Sequence, residues 1–144
     1  MTEGDLVAVA ENTVVSPANS YGLMDGGIDA AYAEAIPDVQ RLVRDAIARR
    51  PEGHLPLGAA VLVRVSHERI GYVIATTTME MPEAVDPGNA YRAMRALLRV
   101  AAAAPEHVRS VYCPGLCTGV GMVPPEAAAT AMASAYADWR ATVV

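Results

Sequence analysis

The sequence predicts an α/β fold, and three observations carry that prediction. Short runs rich in valine, isoleucine and tyrosine alternate with longer segments whose apolar residues recur at helical spacing. Two of the short runs pass directly into glycine-bearing loops, and each of those loops opens a helix. The chain has 144 residues, the size of one domain and enough for a sizeable core. It carries no internal repeat, low-complexity tail or linker, so a single domain over 1–144 is expected.

The elements follow in order. Thr13–Ser16 reads as a buried strand. Ile28–Ala35 reads as a helix opening behind paired glycines. Pro37–Arg49 is the next helix, with Pro37 in the first turn and Val39, Leu42, Val43, Ala46 and Ile47 on one apolar face. Ala60–Val65 and Tyr72–Thr76 are strands, and the short polar link Ser66-His67-Glu68-Arg69 predicts a hairpin between them. Glu80–Gly88 is a proline-bearing loop. Asn89 is the expected N-cap of a helix over Ala90–Ala103, with Tyr91, Met94, Leu97, Leu98 and Ala101 on one face. Arg109–Cys113 is the fourth strand. A last helix runs from Pro125 to Arg140, and Met132, Tyr136 and Trp139 share a face expected to be core.

Composition bounds the function. Hydrophobic residues make up 53% of the chain, there is no phenylalanine and only one tryptophan, so aliphatic residues, methionine and tyrosine must fill the core. The formal net charge is −5 with no basic run, which disfavours bulk binding of nucleic acid. No apolar run is long enough to span a bilayer and no signal peptide opens the chain, so a cytoplasmic protein without membrane contact is expected. Cys113 and Cys117 stand in a Cys-x3-Cys spacing with no histidine near them. Small apolar roles suit them better than zinc or a disulfide.

The two loops carry the chemistry. In the first, Val14-Val15-Ser16-Pro17-Ala18-Asn19 leads through Ser20–Asp25 to Gly26-Gly27-Ile28-Asp29. Adjacent glycines at a helix N-terminus let backbone N–H groups approach an anion, and the helix end adds positive potential. A phosphate or diphosphate suits that arrangement, with Asn19 and Asp29 flanking it near a sugar. In the second, Ser110-Val111-Tyr112-Cys113 leads to Pro114-Gly115-Leu116-Cys117-Thr118-Gly119-Val120-Gly121, and Pro124-Pro125-Glu126 starts the following helix. Both loops belong at the carboxyl edge of one sheet, where open α/β sheets bind ligands. A diphosphate clamped between them is the natural inference.

These residues carry a specific resemblance. The chain resembles the macro domain family of ADP-ribose-binding proteins and ADP-ribosyl hydrolases. Family members carry Gly-Asp-Ile, Asn-Ala-Ala-Asn, a glycine-rich loop ending Val-Asp, and a late Pro-Ala-Ile-Ser-Thr-Gly loop. Here the counterparts are Gly4-Asp5-Leu6, Ser16-Pro17-Ala18-Asn19, Gly26-Gly27-Ile28-Asp29 and Pro114-Gly115-Leu116-Cys117-Thr118-Gly119. Leu57-Gly58-Ala59-Ala60-Val61 and Tyr72-Val73-Ile74-Ala75-Thr76 resemble two further strand entries, with Ala75 where histidine is usual. The first loop is most similar to a bacterial and phage subgroup reading Ser-Pro-Ala-Asn-Ser. The resemblance implies a three-layer α/β/α fold with a mixed central sheet, shortened at one edge.

It also implies roles. Asp5 would accept a hydrogen bond from the adenine amino group. Gly26, Gly27, Ile28, Cys117, Thr118, Gly119, Val120 and Gly121 would bind the ligand, with backbone of the two loops on the diphosphate. Asn19 and Asp29 would be catalytic: Asn19 on the distal ribose hydroxyls, Asp29 orienting or deprotonating water, a task that family mechanisms also give to the substrate's own phosphate. No metal and no cofactor is required. The partner would be a small nucleotide of the ADP-ribose type or an ADP-ribosylated substrate. The bland alternatives are that Asn19 bridges loop backbone and that Asp29 only stabilises its helix dipole. Asp25, where the family often has another glycine, is expected to point away from the diphosphate.

Departures from the family pattern bear on the pocket. Gly121-Met122 replaces an aromatic followed by glycine, which predicts a wider pocket at the distal ribose. Relative to typical members the ends are short, which predicts an exposed sheet edge near Arg109–Cys113 unless Leu6–Ala10 supplies a substitute strand. An exposed edge predicts either a homodimer that covers it or weak, adenine-tolerant binding. The expected function is binding of ADP-ribose or a derivative with hydrolysis at its distal ribose, as an ADP-ribosyl hydrolase or an ADP-ribose phosphate phosphatase. The alternative is a non-catalytic reader of ADP-ribose or a related nucleotide.

Overall fold

The computed structural model of the chain describes residues 6–24, 27–80, 83–118 and 121–142. The described elements are α1 (Leu6–Val9), β1 (Asn12–Asn19), α2 (Gly27–Ala35), α3 (Val39–Ala48), β2 (Ala60–Arg64), β3 (Ile70–Met79), α4 (Pro87–Ala103), β4 (Val111–Tyr112) and α5 (Pro125–Thr142). The strands form one sheet in the order β2-β3-β1-β4. β1 pairs parallel with β3 and with β4, while β2 and β3 form the expected antiparallel hairpin.

The strand period of two assigns alternate residues to opposite faces. Val14, Ala18 and Val73 pack on one face with Tyr32, Ile36, Val39, Val43 and Ile47 of the α2–α3 segment. Val15 and Ile74 pack on the other face with Ala90, Ala93, Leu97 and Ala128 of α4 and α5. The sheet is therefore mixed and covered on both sides, in three layers. That double cover explains why β1 and β3 are buried along most of their length, polar residues included.

Local chemistry moves several boundaries. α3 begins at Val39, not Pro37, because Asp38 takes a left-handed conformation (φ +58°) that breaks the approach to the helix. α4 begins at Pro87, and its N-cap is Asp86 and not Asn89: the Asp86 carboxylate accepts from Gly88 N at 2.7 Å. Asn89 has another task, donating from Nδ2 to Thr78 O at 2.7 Å and so tying α4 to the end of β3.

Leu6–Val9 is a helical turn and not a substitute strand. The Arg69 guanidinium donates to the carbonyls of Val7, Ala8 and Ala10, satisfying groups that such a short helix leaves open. In α5 the buried residues are Ala128 and Ala135, whereas Tyr136 is 44% exposed. Of the expected Met-Tyr-Trp core stripe, Met132 packs against the core, Trp139 is half-buried and Tyr136 is corrected to an exposed position. Tyr136 lies against Trp139 with ring centroids 5.9 Å apart, and small alanines let α5 approach its neighbours closely.

β4 is shorter than its apolar run suggests. The N–H groups of Arg109 and Ser110 both go to Asn12 Oδ1, at 2.8 and 3.2 Å, instead of to a strand. Two residues beyond Tyr112, Pro114 has no N–H to donate. The strand therefore spans only Val111–Tyr112, at the sheet edge where Arg109–Cys113 was expected.

Candidate functional site

Because β1, β3 and β4 run parallel, their carboxyl ends share one edge of the sheet. Three connecting segments begin there. The first leaves Asn19, the second leaves Met79 and the third leaves Tyr112. Ser20 N donates to Glu80 O at 3.1 Å, and Val85 N donates to Gly121 O at 2.9 Å. The second segment is thus bonded to both of the others, and the two glycine-bearing loops are tied into one rim.

Asn19 closes β1 and is 6% exposed. Its Oδ1 accepts from the N–H groups of Tyr21 and Leu23 at 3.0 and 3.2 Å, and its Nδ2 donates to Leu23 O at 2.9 Å. The side chain shapes the loop as a turn-bridging asparagine does. One amide N–H has no partner among the described residues and is available to a ligand. Next to it, Ser20 is 2% exposed, and its Oγ has no hydrogen-bond partner among the described residues.

Gly27 starts α2 with φ +58°, and a Cβ built there would meet nothing within 4 Å. The position combines a backbone conformation that glycine tolerates best with open space at a helix N-terminus. Ile28 is half-buried and packs against the core of that face. Asp29 turns inward: it is 6% exposed and its Oδ1 accepts from Ser16 Oγ at 2.6 Å. No ion pair to Asp29 is present among the described residues. Burial pushes its carboxyl from the ordinary 3.8 up to about 7, with the Ser16 hydrogen bond opposing the rise.

Ser16 is the functional candidate that motif reading missed. It is wholly buried on the central strand. A signal was present, since Ser16 lies between Val14 and Ala18 in the alternation of β1 and puts a hydroxyl on an apolar face. One turn beyond Asp29, the Tyr32 hydroxyl donates to Val15 O at 2.8 Å, just past the last residue of β1 that pairs with β4. Burial pushes the Tyr32 hydroxyl well above its ordinary value.

In the second loop Cys117 is 3% exposed and left-handed, at φ +68°. Its carbonyl accepts from Val123 N at 2.8 Å, and Thr118 Oγ1 donates to Gly115 O at 2.8 Å. Gly121 is required by close approach, because a Cβ there would lie 2.7 Å from Cys117 O. Met122 follows at φ +58° and 75% exposed, so an aromatic at 121 has no room in this loop while the side chain at 122 is free. Cys113 and Cys117 are free thiols, pushed by burial up to about 12 and about 11. Among the described residues no group of three His, Cys, Asp or Glu could hold a metal ion, and no helix is long and apolar enough to cross a membrane.

The structure therefore places Asn19 at the end of β1 and Gly27, Ile28 and Asp29 on the first turn of α2, with Asp29 bonded back to Ser16 of β1. Cys117, Thr118 and Gly121 lie on the adjoining rim. Asp5, Asp25, Gly26, Gly119 and Val120 lie outside the described residues.

The macro domain family model matches residues 15–132. An uncharacterised protein of Aquifex aeolicus (strain VF5) is 35% identical over 133 residues, covering 92% of this chain and 76% of the relative. A macro domain-containing protein of Cupriavidus necator is 31% identical over 139 residues, 90% of this chain and 74% of the relative. Among solved structures, the macrodomain of Mycobacterium tuberculosis DarG superposes with a TM-score of 0.79 at 21% identity, covering 95% of this chain and 88% of that one. A form of the Oceanobacillus iheyensis macrodomain with one glycine replaced by valine, solved with ADPR, gives 0.74 at 20% identity, with 92% and 73% covered. That macrodomain also has forms with an aspartate or an asparagine replaced by alanine. The three replaced residues are spaced as Asn19, Gly26 and Asp29 are in this chain. At these identities the structural likeness carries the fold.

Proposed function

The chain belongs to the macro domain family, and from that premise we propose that it binds ADP-ribose or an ADP-ribose derivative and hydrolyses a bond at the distal ribose. The observation that carries the catalytic part is Asp29: a buried carboxyl with no cation partner among the described residues, brought to about 7 and held by one oxygen. A group that titrates near neutral pH beside a ligand loop is suited to general base work.

In this reading the diphosphate lies over the first turn of α2, where Gly27 leaves space. The remaining Asn19 amide N–H meets a distal ribose hydroxyl. Asp29 takes a proton from water as the water oxygen bonds to the anomeric carbon. The bond from that carbon to the leaving group breaks, and the leaving group departs with the electron pair and takes up a proton from solvent. One observation favours the second reading, a non-catalytic reader: most of the Asn19 side chain is committed to its own loop.

Calorimetry with ADP-ribose, followed by release assays on several ADP-ribosylated substrates, separates the two. We expect parent protein and Asp29→Asn both to bind ADP-ribose. The parent should release it from at least one substrate, and the variant should do so on the order of a hundredfold more slowly. Binding without release by the parent establishes the reader. No heat of binding overturns both readings.

A further inference from the structure

We propose that Ser16 is a positioning residue for Asp29: from the fixed centre of β1 its hydroxyl holds one carboxylate oxygen and leaves the other to face the ligand. This rests on the catalytic reading of Asp29. Ser16 is wholly buried and sits opposite Ala75 in the parallel ladder of β1 with β3. Its backbone therefore has little freedom to move. The neighbours on its face of the strand, Val14 and Ala18, are core residues that offer no competing acceptor. The Ser16 Oγ to Asp29 Oδ1 distance is 2.6 Å, the length of a hydrogen bond to a charged acceptor. Asp29 Oδ2 has no side-chain partner among the described residues. A carboxylate pinned at Oδ1 presents Oδ2 in one direction, and that fixed direction is what a base acting on a bound water requires.

The hydroxyl also acts on charge. Donation to the ionised form favours it, against a burial that disfavours it. The other titratable groups in this environment are Tyr32 on α2 and Cys113 beyond β4; burial first, then the charges of Cys113 and Asp29, raise the Tyr32 hydroxyl. Burial keeps both protonated at neutral pH. Among the described residues Ser16 is therefore the one side-chain donor that stabilises the Asp29 carboxylate.

The test uses three variants of the full chain. Ser16→Ala removes the donor, Ser16→Cys keeps a similar size with a weak donor, and Ser16→Thr restores a hydroxyl. The first readout needs no substrate: the Asp29 carboxyl carbon is titrated by NMR in the folded protein. We expect its midpoint to rise by on the order of one pH unit in Ser16→Ala, to rise similarly in Ser16→Cys, and to return towards the parent in Ser16→Thr. The second readout is ADP-ribose release against pH. We expect kcat at pH 7 to fall about tenfold or more in Ser16→Ala. KM should stay within about twofold, and the acidic limb should move with the NMR midpoint. An unmoved midpoint in Ser16→Ala and Ser16→Cys overturns the proposal whatever the activity. A moved midpoint with an unchanged pH–kcat profile overturns the positioning role. A parent that releases nothing while the midpoint still moves overturns the catalytic reading of Asp29, and the static midpoint and the silent parent are thereby told apart.

Discussion

Asp29 is held where its ionisation opposes folding, and the direction of that opposition can be measured. The folded protein keeps the proton to about pH 7, whereas the unfolded chain loses it near 3.8. Between those values the folded state binds more protons, so this group lowers stability as pH rises. Above pH 7 the penalty is fully present, roughly 4 kcal/mol at most at about 1.4 kcal/mol per pH unit. Asp29→Asn keeps an acceptor for Ser16 and removes the charge. Urea denaturation should find it unchanged near pH 4 and more stable than the parent by about 2 kcal/mol or more at pH 8. An equal difference at both pH values would show that Asp29 titrates normally. Asn19 behaves in the opposite sense. Asn19→Ala removes three hydrogen bonds that hold the turn and leaves two partly buried N–H groups without their acceptor. It should destabilise the protein by on the order of 2 kcal/mol in the same assay, as well as weakening ligand binding. Ser20→Ala, which removes a hydroxyl without a partner among the described residues, should be neutral or stabilising by up to about 1 kcal/mol.

At the scale of elements, glycine position separates backbone effects from ligand effects. Gly27 has open space around it but a left-handed backbone. Gly27→Val should therefore lower stability by about 1–2 kcal/mol from strain, and should also abolish ADP-ribose binding by filling the space over the first turn of α2. Intact binding in a folded Gly27→Val protein would remove that turn from the ligand site. The strands and the α2–α3 layer were legible in the sequence, because Val14-Val15 and Val73-Ile74 are β-branched pairs that send one side chain to each face and Val39, Val43 and Ile47 mark one helix face. The α4–α5 layer was less so. Its buried faces are alanines such as Ala93 and Ala128, which are small enough to sit on any side of a helix, so the larger Tyr136 and Trp139 drew attention that the packing did not give them. Asn19, Gly27 and Asp29 were legible by spacing along one loop. Ser16 was not, because its meaning depends on which face of β1 meets α2.

At the scale of the whole molecule, the sheet edge decides how the protein associates. The sequence placed a fourth strand at that edge, and its position is as expected. Its length is not: the ladder to β1 involves only Thr13–Val111 and Val14–Tyr112. Short edge strands are one way that proteins avoid pairing with other chains. The groups that would extend this edge are also occupied, since Asn12 Oδ1 takes the N–H groups of Arg109 and Ser110 and the Ser110 hydroxyl donates to Glu11 O. Val111 is 36% exposed, a single apolar side chain and not a stripe. A homodimer built by adding strand to strand would gain few backbone hydrogen bonds here and would have to displace the Asn12 contacts to gain more. The expected outcome of light scattering across micromolar concentrations is a monomer. A dimer that forms with rising concentration and is lost in Val111→Lys would show that even so short an edge is enough to pair.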